Sequence, residues 1–172
     1  MQLSNPCKLK KAIPADAKLI AALADEIWHE HYPPIIGEKQ VEYMLEKMYS
    51  LEVLNKNINE GPQQFYLIYS NDLPCGFISI EVSENKKEGF IQKFYLLKSF
   101  RGNGLAAGCF ELLLLEFPLL NVFRLQVNRE NIRAINFYFS RGFKIEKSAD
   151  FDIGNGFFMN DFVMVYHIKN KE

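Results

Sequence analysis

The sequence predicts an α/β fold in which helices cover a mixed sheet. Apolar residues follow a helical spacing early in the chain and alternate from about residue 64, as strands require. Further on, the short glycine loop Arg101–Gly104 separates an apolar strand from an apolar helix. In order, the elements are one strand, two helices and three strands, followed by helix, strand, helix and two strands.

The composition fits one globular domain and argues against several other classes of protein. The chain has 172 residues, of which 48% are hydrophobic and 24% charged, both ordinary values for a globular protein. Its net charge of -1 gives no general attraction to nucleic acid or a membrane surface. The longest apolar run, 112–120, contains Glu116 and Pro118 and is too short to span a bilayer. We therefore predict a single domain over 1–172 without a nucleic-acid or membrane partner.

The cysteines and the N-terminus together predict a reduced, cytoplasmic protein. Cys7, Cys75 and Cys109 are widely spaced and indicate neither a disulfide framework nor a paired zinc site. The N-terminal lysines are not followed by the apolar segment of a secretory signal peptide. Cysteines stay reduced in the cytoplasm, so this location is the simplest interpretation.

The N-terminal part is predicted to contain one strand and two helices. The strand covers about 7–12, and the first helix ends where Pro33 and Pro34 cannot continue it. A second helix is predicted over about 38–50. Residues 51–60 either extend this helix or form a third short one.

Residues from about 64 onward are predicted to form strands. Segments 65–69 and 75–82 flank the turn 71–74 and should form an antiparallel hairpin, with a third strand over about 89–97. Gly142 is expected to close a late helix, and Asn155–Gly156 to form a turn. The remaining predicted elements are a helix from Gly104 to Pro118, a strand at 122–127, a helix at 130–141, and strands at 143–146 and 162–168.

The loop Arg101–Gly104 has the features of an anion site. A strand that turns through glycines into a helix leaves backbone N–H groups unpaired at the positive end of the helix dipole. Phosphates bind at such helix N-termini, and glycines let them approach the backbone closely. A plain tight turn at a helix start would have the same sequence, so the loop alone leaves both interpretations open.

Two motifs resemble the GNAT (Gcn5-related N-acetyltransferase) superfamily. Residues 101–106, Arg-Gly-Asn-Gly-Leu-Ala, are similar to its acetyl-CoA motif Gln/Arg-x-x-Gly-x-Gly/Ala, and they lie between a predicted strand and a predicted helix. Residues 127–143 are similar to its segment Val-x-x-x-Asn-x-x-Ala-x-x-Phe-Tyr-x-x-x-Gly-Phe. The resemblance covers nearly the whole chain. It implies a mostly antiparallel sheet of about seven strands flanked by about four helices.

The resemblance implies acetyl-CoA as co-substrate and no metal. Backbone N–H groups of the loop would hold the pyrophosphate, and backbone groups of Phe94 and Leu96 would pair with the pantetheine arm. A backbone N–H near Leu96 would polarise the acetyl carbonyl. The residues implied to contact the coenzyme are Phe94, Tyr95, Leu96, Arg101, Gly102, Asn103, Gly104, Leu105, Ala106, Asn131, Ala134 and Phe137.

Tyr138 is the candidate catalytic residue. In the predicted helix, Asn131, Ala134 and Tyr138 follow a spacing that places them on one face. The phenol of Tyr138 can donate a proton to the departing thiolate. Core packing among neighbouring aromatic residues is the alternative, and the match to the family's Phe-Tyr step favours the acid role.

The amine end of the site is less well defined by the sequence. Trp28, His29, Glu30 and Tyr32 lie where this family often lines its acceptor pocket. The candidates for the base are Glu30, His29, His31, Glu81 and Glu88. His29 and His31 lack further metal ligands at useful spacing, and Asn160 and Asp161 either meet a cationic acceptor or begin the last strand.

These residues predict an enzyme that transfers acetyl from acetyl-CoA to a primary amine by direct attack in a ternary complex. The acceptor is a small molecule or a peptide, with a small amine or polyamine slightly favoured over a protein. No cysteine has a nearby His and acidic partner in the sequence, which disfavours a covalent relay. A catalytically silent CoA-binding sensor is the alternative, and an exposed sheet edge could support a homodimer.

Overall fold

The computed structural model describes residues 7–168, so the ends of the predicted domain, 1–6 and 169–172, lie outside the described residues. Its strands are β1 (Cys7–Lys11), β2 (Gln63–Ser70), β3 (Leu73–Val82), β4 (Glu88–Leu96), β5 (Val122–Asn128), β6 (Lys144–Gly154) and β7 (Phe157–His167). Its helices are α1 (Ala17–His31), α2 (Pro33–Ile36), α3 (Glu38–Tyr49), α4 (Leu51–Glu60), α5 (Leu105–Glu116) and α6 (Ile132–Arg141).

The strands form one sheet in the order β1-β2-β3-β4-β5-β7-β6. The seven strands of this sheet confirm the predicted α/β fold class, and they follow one another along the chain in the predicted places. The chain divides into two compact units. The first unit comprises the chain up to Ile80 together with Lys93–Pro118, and the second comprises Glu81–Gln92 and the chain from Leu119. The single-domain organisation over 1–172 stays a prediction.

In the first unit, the region between β1 and β2 contains more helices than predicted. Helix α1 buries Ile20, Leu23 and Ile27 at helical spacing and ends before the prolines. Pro33 then begins the single turn α2, since proline is tolerated at the first helical position. Ser50 leaves the helical conformation and its hydroxyl accepts a hydrogen bond from the Val53 N–H, so α4 is a separate helix.

The β2–β3 hairpin of the first unit has a shorter turn than the predicted 71–74. Only Asn71 and Asp72 form it. Both have positive φ (48° and 63°), which a two-residue turn needs in order to match the twist of its strands. Leu73 and Pro74 already belong to β3. On the other side, β2 pairs antiparallel with β1 from Cys7–Ser70 to Lys11–Tyr66.

In the second unit, β5 pairs in parallel with the start of β4 from Glu88–Val122 to Ile91–Leu125, and it pairs antiparallel with β7 along its whole length. The predicted strands 143–146 and 162–168 were much too short, since β6 and β7 have 11 residues each. The first five residues of β6 are all exposed, so burial imposes no alternation on that half, and half-buried and exposed residues alternate only from Ala149 onward. The predicted Asn155–Gly156 turn joins them, with φ of 55° and 78°.

Cys7 in β1 and Cys109 in α5 form a disulfide, with their Cα atoms 6.2 Å apart. This corrects the prediction of a reduced protein without disulfides. The two cysteines are 102 positions apart, and a single distant pair produces no spacing pattern in the sequence. Cys75 is free and buried. None of the helices in residues 7–168 combines the length and apolar character needed to cross a membrane.

Candidate active site

The glycine loop follows a short 3-10 turn, Lys98–Phe100, and leads directly into α5. Gly102 and Gly104 have φ of +85° and +84°, a conformation that favours glycine. A Cβ at either position would meet no atom within 4 Å, so the space beside the loop is open. The predicted strand, loop and helix are therefore confirmed, and the N-terminus of α5 has the form of an anion cradle.

Two side chains fix the loop. The Nε of Arg101 donates to the carbonyl oxygen of Leu96 at 2.8 Å, which joins the loop to the end of β4. The Oδ1 of Asn103 accepts a hydrogen bond from the Leu105 N–H at 3.2 Å and so caps the first turn of α5. Arg101 and Asn103 thus have structural partners that their motif position alone does not reveal.

Gly76 in β3 is a residue that sequence reasoning missed. A Cβ at this position would lie 2.1 Å from the carbonyl oxygen of Tyr95 and 2.8 Å from the Leu96 side chain. Any larger residue would therefore displace β4 where the coenzyme-binding residues are predicted. A glycine within an apolar strand is the sequence signal of such a close approach.

Trp28, Tyr32 and Tyr95 come together in the first unit, as members of an aromatic cluster that also contains Tyr49 and Phe77. The Trp28 ring stacks on Tyr32 with centroids 4.4 Å apart, and it lies 5.7 Å from Tyr49 and 6.0 Å from Tyr95. Phe77 completes the cluster at 5.5 Å from Tyr95. Tyr49 and Phe77 were not predicted as site residues. Their positions in a helix and a strand indicate only that they belong to the hydrophobic core.

Two polar atoms are fully buried inside the aromatic cluster, the indole Nε1 of Trp28 and the hydroxyl of Tyr49. Burial raises the pKa of Tyr49 far above its ordinary value, and side-chain hydrogen bonds with Tyr95 and Trp28 partly oppose this. The Tyr49 phenol therefore stays protonated.

Lys93 in β4 is the second residue missed by the sequence analysis. It is buried, and its Nζ lies 5.5 Å from the Tyr49 ring centroid and 5.7 Å from that of Phe65. Its hydrogen-bond partner is Gln63 Oε1, at 3.3 Å. Burial lowers the pKa of Lys93 to about 8. In the sequence, the only sign of its special position is a charged residue within an otherwise apolar strand.

His29 and Glu30 have partners on neighbouring elements. His29 Nε2 lies 2.6 Å from Glu42 Oε1, and its Nδ1 lies 2.9 Å from the Asp25 carbonyl oxygen. The hydrogen bond to Glu42 is the main cause that raises the pKa of His29. Glu30 forms an ion pair with Lys98 at 3.5 Å. Within residues 7–168, no group of three or more metal-ligating side chains is found.

In the second unit, α6 presents the predicted residues on its buried side. The Asn131 side chain caps the helix by accepting from the Ala134 N–H at 3.3 Å. Tyr138 is nearly buried, and its ring packs against Phe137 at 5.3 Å and Phe143 at 5.4 Å. Tyr138 therefore has the packing expected of a core residue, and its catalytic role stays a prediction.

The acidic candidates of the second unit differ in their surroundings. Glu88 pairs with Arg124 at 2.9 Å, and Glu81 accepts a hydrogen bond from Gln92 at 3.4 Å. Asp161, in β7, is buried, and burial raises its pKa to about 6 against the opposing effect of Arg129. Because β7 begins at Phe157, Asn160 and Asp161 lie inside this strand, and the alternative that they begin it is wrong.

A family model described as "Acetyltransferase (GNAT) family" matches residues 21–143. A spermidine N(1)-acetyltransferase of Thermoplasma acidophilum is 24% identical over 152 residues, which cover 84% of this chain and 92% of that protein. An uncharacterised N-acetyltransferase of Mycobacterium bovis is 27% identical over 153 residues, with coverage of 87% and 96%.

Solved structures show the same fold. The PaiA N-acetyltransferase of Thermoplasma acidophilum, in complex with coenzyme A, matches with a TM-score of 0.74 and 21% identity, over 95% of this chain and 99% of that one. A GCN5-related N-acetyltransferase structure from Rhodopseudomonas palustris matches with a TM-score of 0.78 and 17% identity, over 98% and 99%.

Proposed function

Because the chain belongs to the acetyltransferase (GNAT) family, we propose that it transfers the acetyl group of acetyl-CoA to a primary amine. The family model covers residues 21–143, which include the glycine loop and all of α6. The observation that carries the proposal is the open cradle at the start of α5, formed by Gly102 and Gly104 with positive φ. Such a cradle suits a pyrophosphate.

The residues of the first unit would bind and orient the coenzyme. Backbone N–H groups of Gly102–Gly104 and Ala106 would donate to the pyrophosphate oxygens, whereas the Leu105 N–H already bonds Asn103 Oδ1. The Arg101–Leu96 hydrogen bond would keep the loop in place. Backbone groups of Phe94 and Leu96 would hold the pantetheine arm as an added strand, and an N–H near Leu96 would polarise the thioester carbonyl. Tyr95 would support that strand from within the aromatic cluster.

The roles proposed for residues of α6 rest on the family resemblance. Asn131, Ala134 and Phe137 would contact the coenzyme, and the Tyr138 hydroxyl would protonate the departing thiolate. Direct attack by the amine is favoured over a cysteine relay, because Cys7 and Cys109 are joined and Cys75 is buried. Burial also raises the pKa of Cys75 to about 11, which disfavours its thiolate.

The acceptor is proposed to be a small amine or polyamine rather than a protein. The relative from Thermoplasma acidophilum is named for spermidine, and Trp28, His29, Glu30 and Tyr32 supply aromatic and charged groups for an amine. A peptide amine is the second choice. A homodimer is a further proposal, and it rests on the sequence. The cytoplasmic location was inferred from reduced cysteines, so the Cys7–Cys109 disulfide removes that support.

Thiol release from acetyl-CoA across a panel of primary amines tests this function. Turnover of any amine, lowered in Tyr138→Phe, supports the enzyme. Tight CoA binding in calorimetry without thiol release on any amine would instead favour the silent sensor. Absence of CoA binding would remove the coenzyme assignment itself.

A further inference from the structure

The Cys7–Cys109 disulfide joins the edge of the sheet to the helix that begins at the glycine loop. Cys7 is the first residue of β1, and Cys109 lies in α5, five residues after Gly104, which is the N-cap of that helix. At about 1.5 Å per residue, the bond is attached about 7 Å from the start of α5. All of these elements belong to the first unit.

Helix α5 packs along β1 and is attached to the sheet at a second point, near its other end. The Tyr66 hydroxyl in β2 donates a hydrogen bond to Glu116 Oε1 at 3.3 Å, and the Tyr66 ring contacts Phe117 with centroids 6.1 Å apart. Tyr66 pairs with Lys11, which lies at the opposite end of β1 from Cys7. The disulfide therefore holds the end of α5 that carries the proposed phosphate cradle.

Apart from the disulfide, β1 is held by weak contacts. Within the described residues, this five-residue strand lies at the edge of the sheet and pairs with β2 alone, and none of its side chains is fully buried. Lys10 pairs with Asp16 at 3.5 Å and Lys11 donates to Gln64 at 3.2 Å, but both lysines are exposed, so these contacts contribute little. Such edge segments open locally at a low free energy.

The two sulfurs of the disulfide differ in accessibility. Cys109 is fully buried, whereas Cys7 is half-buried. A thiolate reductant therefore attacks Cys7 Sγ, forms a mixed disulfide with it and displaces Cys109 as a thiolate, which takes up a proton. A second thiolate then attacks the sulfur of the reductant in that mixed disulfide. Both cysteines end as thiols, and two thiols of the reductant are oxidised to one disulfide.

We propose that the Cys7–Cys109 disulfide is a redox switch that controls the order of the α5 N-terminus. While the bond is intact, β1 and the first turns of α5 are held against each other, and the cradle is preorganised. After reduction by a thiol, β1 opens from the sheet and the start of α5 loses its covalent attachment. A ligand at the cradle must then restore this order, which weakens its binding. The effect on the coenzyme rests on the proposed function, whereas the effect on α5 does not.

Hydrogen–deuterium exchange tests the switch without any ligand. On reduction of the wild type with dithiothreitol, amides at 8–11 in β1 and 108–113 in α5 should exchange about tenfold faster. Amides at 77–80 in β3 serve as the reference and should keep their protection. Unchanged exchange in α5 would overturn the proposal. Equally faster exchange in β3 would also overturn it, because it would indicate a general loss of stability.

Two serine variants assign the response to this bond. Cys7→Ser removes the disulfide, so its α5 amides should exchange at the rate of the reduced wild type with or without dithiothreitol. Cys75 in β3 is free and buried, so Cys75→Ser should respond to the reductant as the wild type does. A response that persists in Cys7→Ser, or that is lost in Cys75→Ser, would contradict the assignment.

Calorimetric titration with acetyl-CoA, which has no free thiol, measures the consequence for the proposed coenzyme site. The protein is reduced and then freed of dithiothreitol under nitrogen. Reduction of the wild type should raise Kd about tenfold, within the usual range for coupled sites, and Cys7→Ser should show the higher Kd throughout. An unchanged Kd would overturn the effect on the coenzyme. Absence of binding in both states would remove the coenzyme assignment, and a switch established by the exchange rates would stand.

Discussion

Arg101 Nε donates a hydrogen bond of 2.8 Å to the main-chain carbonyl oxygen of Leu96. This contact spans five positions and joins the glycine loop to the last residue of β4. Both ends of the proposed coenzyme site in the first unit are therefore held together by one side chain.

Arg101→Ala is expected to weaken CoA binding about tenfold, because hydrogen bonds made by charged groups contribute about 1.5–3 kcal/mol. Arg101→Lys keeps the charge but lacks the Nε donor, so it separates the two effects. Calorimetric titration with CoA measures both variants. If the lysine variant binds like the wild type, the charge matters and the contact with Leu96 does not.

Gly104→Glu should abolish measurable CoA binding, because a side chain and a negative charge would enter the proposed phosphate cradle. Gly156→Glu is the matched control, since Gly156 also has positive φ and open space around it but lies in the β6–β7 turn. Both changes impose similar backbone strain, of about 1–2 kcal/mol. Equal CoA affinity in the two variants would remove the pyrophosphate assignment.

Tyr138→Phe should lower kcat at least tenfold while CoA affinity changes little, since only the proton donor is lost. Tyr166→Phe serves as control, because Tyr166 also packs against Phe143, at 5.4 Å. Steady-state thiol release and CoA titration give the two quantities. Unchanged kcat in Tyr138→Phe would show that another group protonates the thiolate and that Tyr138 only packs.

Asp161→Asn should make the protein more stable at pH 7. Burial raises the folded-state pKa of Asp161 to about 6, above its ordinary 3.8, so the folded state binds this proton more tightly. Its contribution to the free energy of unfolding therefore falls as pH rises from about 4 to 6, by on the order of 2 kcal/mol.

Urea unfolding at several pH values measures this effect. The Asn variant should lose the decrease between pH 4 and 6, whereas Asp152→Asn, at an exposed position of β6, should retain it. Parallel pH profiles of wild type and Asp161→Asn would contradict the prediction.

The Cys7–Cys109 disulfide should stabilise the chain, since closing a loop of this length restricts the unfolded state by about 4–5 kcal/mol in the chain-entropy model. A reducing agent should therefore lower Tm in the wild type and leave Cys7→Ser unaffected. Thiol titration under denaturing, non-reducing conditions should find Cys75 alone. Three reactive thiols, with no effect of reduction on Tm, would rule the disulfide out.

The sequence was sufficient where one local pattern decides the structure. The glycines of the loop and the Gly142 end of α6 have conformations that residue type alone favours. The family motifs depend on the same positions, and the family model confirms the resemblance. The catalytic assignment of Tyr138 has no such test, because its packing fits a core residue equally well.

Features that depend on distant partners were not visible in the sequence. The first half of the long β6 strand is exposed throughout and is held by its pairing with β7, so those residues carry no alternation of burial. Lys93 sits among apolar positions, and only the arrangement of Tyr49, Phe65 and Gln63 shows how it is accommodated. The disulfide likewise requires knowing that β1 lies beside α5.

The Cys7–Cys109 disulfide also closes residues 7–109 into a covalent ring. Every residue of the aromatic cluster and the whole glycine loop lie inside this ring, whereas α6 and the β6–β7 hairpin lie outside it. A protease that cuts once inside the ring leaves its two products joined until the disulfide is reduced. A cut at the β6–β7 turn leaves its two products without a covalent link, so a denaturing gel separates them without reduction.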